Sequence, residues 1–359
     1  MSIFFSSVLI FLQIFILAIF LSLSGFIFRK YLVNYNYSPR FEEDGLFGFI
    51  LVGFISVLLN FFIPLNLIYN SIFFLIISFI GLNMGFLNQN KKVILKKALI
   101  ITTISFLILI YSTVNRPDAW LYHLSYTSII NDHKIILGVA NIHERFAHIS
   151  IFQYISSFFY NFFFFQNGIL IPISLVASYF FVFTYFEFKK NFFLQTTIKY
   201  SYINFLILIL SLYAFNRYSE YGNDAQSHFF YFFFIILLFK YLLIKKSTDL
   251  IKELFFLSLL IFFTKPTFII ILIIPFILFL NLKKKGKFLK SISFIFYSFF
   301  FIIWIGKNIL TTGCLIYPLN FTCNNNLSWS ATNLNQNATV NEAWSKGWPD
   351  QKQSRMLNK

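Results

Sequence analysis

Long apolar runs, broken by short polar patches, set the rhythm of this chain. Runs of spanning length fall near residues 3–28, 46–66, 68–88, 95–112, 149–166, 168–187, 200–216, 228–244, 254–264, 266–282 and 291–306. A helix needs about 20 apolar residues to cross a bilayer, fewer or more with tilt. Backbone groups in lipid must be satisfied within their own segment, so every run is expected to be helical. The stretch "LFFLSLLIFFTKPTFIIILIIPFILFL" is cut by Lys265 and Pro266. Proline lacks an amide donor and lysine avoids the bilayer centre, so two short spans are expected with Lys265 at the interface between them. No internal repeat of fixed period is present.

Composition strengthens this picture. The chain has 359 residues, 58% hydrophobic and 12% charged, more apolar than a water-soluble core can hide. The expected fold class is all-α, a polytopic integral membrane protein with about 10–11 transmembrane helices. The N-terminus, "MSIFFSSVLIFLQIFILAIFLSLSGFIF", lacks a basic leader and a small-residue cleavage motif, and reads as a retained first span. Phe occurs 55 times, with much Ile, Asn and Lys, the bias of AT-rich bacterial loci. A multi-pass protein of a bacterial cytoplasmic (inner) membrane is expected.

Charge adds orientation. The net charge is +16, but the basic residues sit in short runs between apolar spans: Lys91 to Lys97, Lys189 with Lys190, Lys245 with Lys246, and Lys283 to Lys285. That is the positive-inside pattern facing anionic membrane lipids, not a nucleic-acid surface. The 118–150 loop, the loop holding Glu220 and Asp224, Lys265 and the polar tail then lie outside. Two full spans between 149 and 187 would carry Lys189, Lys190 and Lys199 outside as well, so either one run enters and returns, the favoured reading, or an interfacial segment of the 118–148 loop crosses. Four parts follow: N-terminal helices (1–112), an extracytoplasmic loop (113–150), a helical core (151–306) and a polar, apparently truncated tail (307–359). Cys314 and Cys323 form no metal-type spacing; a disulfide and two thiols fit equally well.

Chemistry gathers in the loop. His123, His133, His143 and His148 are four of the five histidines in the chain. Residues 119–130 alternate at helical spacing, as an interfacial amphipathic helix would. Asn115 suits an N-cap and Pro117 a first turn, where the helix dipole keeps Asp118 ionised. Asp118 and Tyr122 share a face, and an ionised carboxylate there can act as general base on a sugar hydroxyl. Glu144 and Asp224 are further catalytic candidates. His143 and Glu144 lack a recognised zinc spacing, so no cofactor is required, while a divalent metal ion stays open. The plainer alternatives are a first-turn acid at Asp118, amphipathic histidines, and a snorkelling Lys265. The stripes "FFYNFFFF" and "HFFYFFF" are expected to face lipid.

The stretch "NRPDAWLYHLSYTSIINDHKIILGVANIHERFAHISIFQ" resembles the first extracytoplasmic loop of bacterial GT-C-type glycosyltransferases. The match rests on Asp118, Tyr122-His123-Leu124, Gly138, Asn141, His143, Arg145 and Phe146. Weaker likenesses are Thr264-Lys265-Pro266 and the turn from Gly313 to Tyr317-Pro318. The resemblance implies a GT-C-like fold and transfer of a sugar from a polyprenyl-phosphate donor to a cell-envelope glycan or lipid acceptor, with inversion. Asp118 would be the base, and Arg145, Arg217 and Lys265 would hold the leaving phosphate. Tyr122, His123, Asn141, His143 and Glu220 would line the substrate. The competing readings are an O-antigen-type polymerase or ligase, and a transporter of polysaccharide or lipid-linked sugar. A transporter would bury ionisable residues at mid-membrane.

Overall fold

The computed structural model describes residues 2–34, 37, 39–86, 91–111, 119–194, 197–214, 222 and 224–332. Among them the regular structure is helical, apart from one isolated bridge between Cys314 and Cys323. The long helices are α1 (Ser2–Phe28), α2 (Phe41–Asn60), α3 (Leu67–Asn83) and α4 (Lys91–Tyr111). Two short helices follow, α5 (Leu124–Asp132) and α6 (Ile151–Phe158). Then come α7 (Asn167–Phe192), α8 (Ile198–Ala214), α9 (Asp224–Leu243), α10 (Thr248–Thr264) and α11 (Ile273–Leu280), with a 3₁₀ segment at Pro266–Leu272. The last are α12 (Lys285–Leu289) and α13 (Ile292–Thr312). Among the described residues, five segments are long and apolar enough to cross a membrane: Ser6–Val33, Lys91–Ile110, Asn167–Phe192, Asp224–Leu243 and Ile292–Thr312.

The run at 149–166 is corrected. It forms α6 of only 8 residues, then a turn through Phe159 to Gln166. At 1.5 Å per residue that helix is about 12 Å long, far short of a bilayer core. Ser150 caps it, accepting the Phe152 N–H, while Gln153 accepts the Ser150 N–H at 3.0 Å. Phe165 sits at φ 47°, which helps reverse the chain into α7. Lys189 and Lys190, at the far end of α7, therefore join the other lysine-rich turns at one end of the bundle. The loop 119–150 and the segment 313–332 occupy the opposite end, called here the loop end.

The phenylalanine stripes are also corrected. Phe158, Phe159 and Phe164 are fully buried, as are Phe230, Phe233 and Phe234. They interlock across helices, with Phe49 5.8 Å from both Phe152 and Phe230. Only parts of the stripes, such as Phe162 and Phe165, face outward.

Helices α1 and α2 touch through glycine. A methyl group at Gly25 would lie 1.7 Å from the Asp44 carbonyl oxygen, and one at Gly48 2.0 Å from that of Leu21. Only a bare backbone permits this approach. Gly48→Ala is expected to push the helices apart and cost about 1–3 kcal/mol, read as a lower Tm in detergent.

The close approach lets an ion cluster form at the lysine-rich end. Arg29, 4% exposed, donates to Glu253 at 2.6 Å and to Asp44 at 3.1 Å, and lies 3.3 Å from Glu43. Lys240 lies 3.1 Å from Glu187 and Lys97 2.5 Å from Glu42. The acids of the first turn of α2 are thus buried and paired, which moves the helix start to Phe41 rather than residue 46.

Candidate functional site

The loop end is built from backbone ties. The turn after α2 grips α5: Asn60 donates to the His133 carbonyl at 3.0 Å, and the Leu65 N–H to Ile130 at 3.0 Å. A π-helical turn, Ala119–His123, leads into α5 and agrees with the helix expected over 119–130. Gly138 adopts φ 63°, which favours glycine, and its N–H reaches the Leu310 carbonyl at 2.9 Å.

Segment 313–332 closes over this loop. Cys314 and Cys323 form a disulfide. The Asn141 amide donates to the Trp329 carbonyl at 3.1 Å and accepts from the Thr332 N–H at 3.0 Å. The Trp329 indole N–H donates to the Ile309 carbonyl at 3.1 Å. The His148 ring packs on Tyr317, with centroids 5.1 Å apart. Asn141 therefore tethers the tail, where substrate contact had been expected. His143 is also used locally, its Nδ1 accepting the Arg145 N–H at 3.1 Å.

Burial, with Arg145 nearby, pushes the His148 imidazole down to about 4. Above about pH 6.5, the ordinary value, folded and unfolded chains are both neutral there. Between 6.5 and 4 the unfolded chain takes up a proton that the folded one refuses, so stability falls as pH drops. A lower hydrogen-exchange protection factor in 313–332 at pH 5 than at pH 7, after correction for the slower intrinsic exchange at pH 5, is the expected result, and His148→Leu should flatten that difference.

Five of the residues expected to act converge. The Arg145 guanidinium lies 5.7 Å from the Tyr122 ring centroid, and the Tyr122 and His123 rings are 4.3 Å apart. His123 approaches Gln153 at 3.4 Å and faces Gly222, where an added methyl would lie 3.4 Å from its Nε2. Two residues on, Asp224 opens α9 and pairs with Lys265 at 2.5 Å. Lys265 ends α10, where Pro266 prevents the helix from continuing. Three separate loops thus meet, with Arg145 and Lys265 each about a third exposed. Glu144 stands apart; among the described residues its ion pair is with the adjacent Arg145 at 3.9 Å. Asp118, Glu220 and Arg217, with Asn115 and Pro117, lie outside the described residues. Among the described residues, no three His, Cys, Asp or Glu side chains are grouped as a metal site requires.

Two residues outside the expected catalytic and binding set stand out. Gln226, 1% exposed, has no hydrogen-bond partner among the described residues for either amide atom. It borders a small recess of about 10 Å³ with His123, Gln153, Ser156 and Gly222, room for one water or one hydroxyl. Lys307 is fully buried in α13, and its Nζ has no hydrogen-bond partner among the described residues. The ammonium lies 3.4 Å from the Trp304 ring centroid and 4.7 Å from that of Tyr154. Tyr154 Oη is 3.3 Å from that of Tyr126, whose ring rests on Phe146 beneath the loop. A lysine inside an apolar run was the available signal.

Fold and site together define a class: an all-helical protein with helices of membrane-crossing length and a polar cluster at one end. The model of a family described as a domain of unknown function (DUF8201) matches residues 8–358, and the chain belongs to that family. No curated protein and no solved structure matches it.

Proposed function

We propose that this protein is a multi-pass inner-membrane glycosyltransferase of GT-C type, using a polyprenyl-phosphate sugar at the outer face. The carrying observation is the meeting of Arg145, Tyr122, His123, Asp224 and Lys265 from three loops at the end away from the lysine-rich turns. By the positive-inside rule that loop end is extracytoplasmic. The Cys314–Cys323 disulfide supports this side, since disulfides persist in oxidising compartments. With α6 too short to cross, the lysine-rich turns among the described residues share one side, which supports the reading.

The chemistry follows from charge. The acceptor hydroxyl loses its proton to a carboxylate, Asp118 by the loop's resemblance. Its oxygen attacks the anomeric carbon as the bond from that carbon to the phosphate oxygen breaks, with inversion. Positive charge on the sugar grows in the transition state and negative charge on the leaving phosphate. Lys265, steadied by Asp224, and Arg145 neutralise the phosphate. Neighbouring His123 and Gln226 offer polar atoms to sugar hydroxyls.

The test is sugar transfer in membranes supplied with polyprenyl-phosphate sugars, comparing wild type with Lys265→Gln. A loss of about 100-fold at unchanged abundance is expected from removing one phosphate-side charge. Transfer unaffected by Lys265→Gln would remove the phosphate from this cluster.

A further inference from the structure

A second cavity, of about 570 Å³, opens beside the site. That is within the roughly 300–1,000 Å³ of small-molecule sites. One wall is a single helical face, Trp120, Leu124, Ser128 and Asp132, each four residues apart. The other wall is the start of α7, with Gln166, Ile169 and Leu170. Asn131 and Tyr160 complete the lining.

The lining is chemically one-sided. Among the described residues, no Lys, Arg or His borders the cavity, and its one carboxylate is Asp132. Among them Asp132 has one weak hydrogen bond, from Ser128 Oγ at 3.5 Å. A phosphate would meet like charge with no cation to hold it. The Trp120 ring is 62% exposed, although it borders a recess. Around it stand a hydroxyl, two amides, a phenol and a carboxylate, which donate and accept in many directions. Asn131 is itself positioned, its Oδ1 accepting from Ser157 Oγ.

We infer that this cleft holds a neutral pyranose of the glycan acceptor. A sugar ring has an apolar face, which stacks on Trp120, and an equatorial fringe of hydroxyls, which the polar side chains bind. The carboxylate of Asp132 accepts hydroxyl hydrogen bonds and repels acidic sugars. The inference deepens the transferase reading and rests on it for the word acceptor; the sugar site itself does not. It also divides the labour at the loop end. The phosphate side is cationic, at Arg145 and Lys265, and the cleft is neutral to acidic. Asp118, the base implied by resemblance, stands two residues before Trp120 in the chain.

The experiment is saturation-transfer NMR on the full chain in nanodiscs. The probes are neutral methyl hexosides, the matching methyl hexuronosides, and farnesyl phosphate. Neutral hexosides should bind and hexuronosides should not. Trp120→Ala should weaken hexoside binding about tenfold or more, through loss of the stacked ring. Ser128→Trp fills the cleft from an exposed position, losing only the weak hydrogen bond to Asp132, and should abolish binding. Asp132→Asn should admit hexuronosides. Hexoside binding that survives both Trp120→Ala and Ser128→Trp would overturn the inference, as would a wild type that binds no hexoside. Farnesyl phosphate lost on Ser128→Trp would overturn it too, giving the cleft to the lipid. Hexosides bound at the cleft by a wild type that transfers nothing would leave the sugar site standing and remove the transferase reading.

Discussion

Arg29→Met is expected to destabilise the bundle by about 3–5 kcal/mol, the usual cost of stripping one partner from a buried charge cluster. Arg29 carries bonds to three acids that come from two distant parts of the chain. Its Nε and Nη2 both donate to Glu253, at 2.9 and 2.6 Å, and its Nη1 to Asp44 at 3.1 Å. Its guanidinium also lies 4.1 Å from the Tyr37 ring centroid and 4.8 Å from that of Phe47. Glu43, Asp44 and Glu253 are each under 2–4% exposed at the side chain, so water cannot replace the lost cation. Arg40, 3.2 Å from Glu43, is the nearest remaining positive charge to that acid, with Lys240 at 3.9 Å. A fall in Tm and in folded yield from detergent is the readout. Adding Glu253→Gln and Asp44→Asn to Arg29→Met should recover part of the loss, because the orphaned charges go with their partner. An unchanged Tm in Arg29→Met would mean that the cluster contributes nothing to the fold.

Lys307→Met should act in the opposite direction on stability while lowering transfer. A buried ammonium without a hydrogen-bond acceptor costs several kcal/mol of lost hydration. Attraction from Trp304 and Tyr154 returns about 2 kcal/mol for a desolvated cation over aromatic rings. Met keeps the length and removes the charge, so stability should rise by about 1 kcal/mol or more. Under the proposed activity, a proton taken up by Lys307 adds positive potential beneath the loop that bears Arg145. Transfer should then fall by about tenfold, with Tm rising in the same sample. A lower Tm would show that Lys307 is held by interactions stronger than the two rings. Full activity would make it a structural residue alone.

Helices as elements were legible because twenty apolar residues have few other options. Hence α1, α7, α9 and α13 match their runs closely. Hydropathy is blind to where a run breaks. In 149–166 the reversal depends on Asn161, whose carbonyl accepts the Phe165 N–H at 2.8 Å, and on the unusual φ of Phe165. The start of α2 was misjudged for a related reason. Glu42, Glu43 and Asp44 look like loop residues until Arg29, 224 residues from Glu253, is placed among them. No local pattern encodes a contact over that distance. At the site, Tyr122, His123, Arg145, Asp224 and Lys265 stood out as polar residues in an apolar chain, and they do converge. Asn141 and His143 stood out equally but are consumed by the tail and by a local cap. Lys307 was hidden near the end of a mostly apolar helix, and Gln226 sits in the polar opening of α9 beside Asp224, Ser227 and His228, where nothing local marks it out.

The tail clamp also sets an order of assembly. Thr332 follows its partner Asn141 by 191 residues. A ribosome adding roughly 5–20 residues per second needs on the order of ten to forty seconds to cover that gap. For that interval the loop bearing Arg145 has been made but its cover has not. The segment that ties down Asn141 is made only after the loop it closes has waited through most of the helical core.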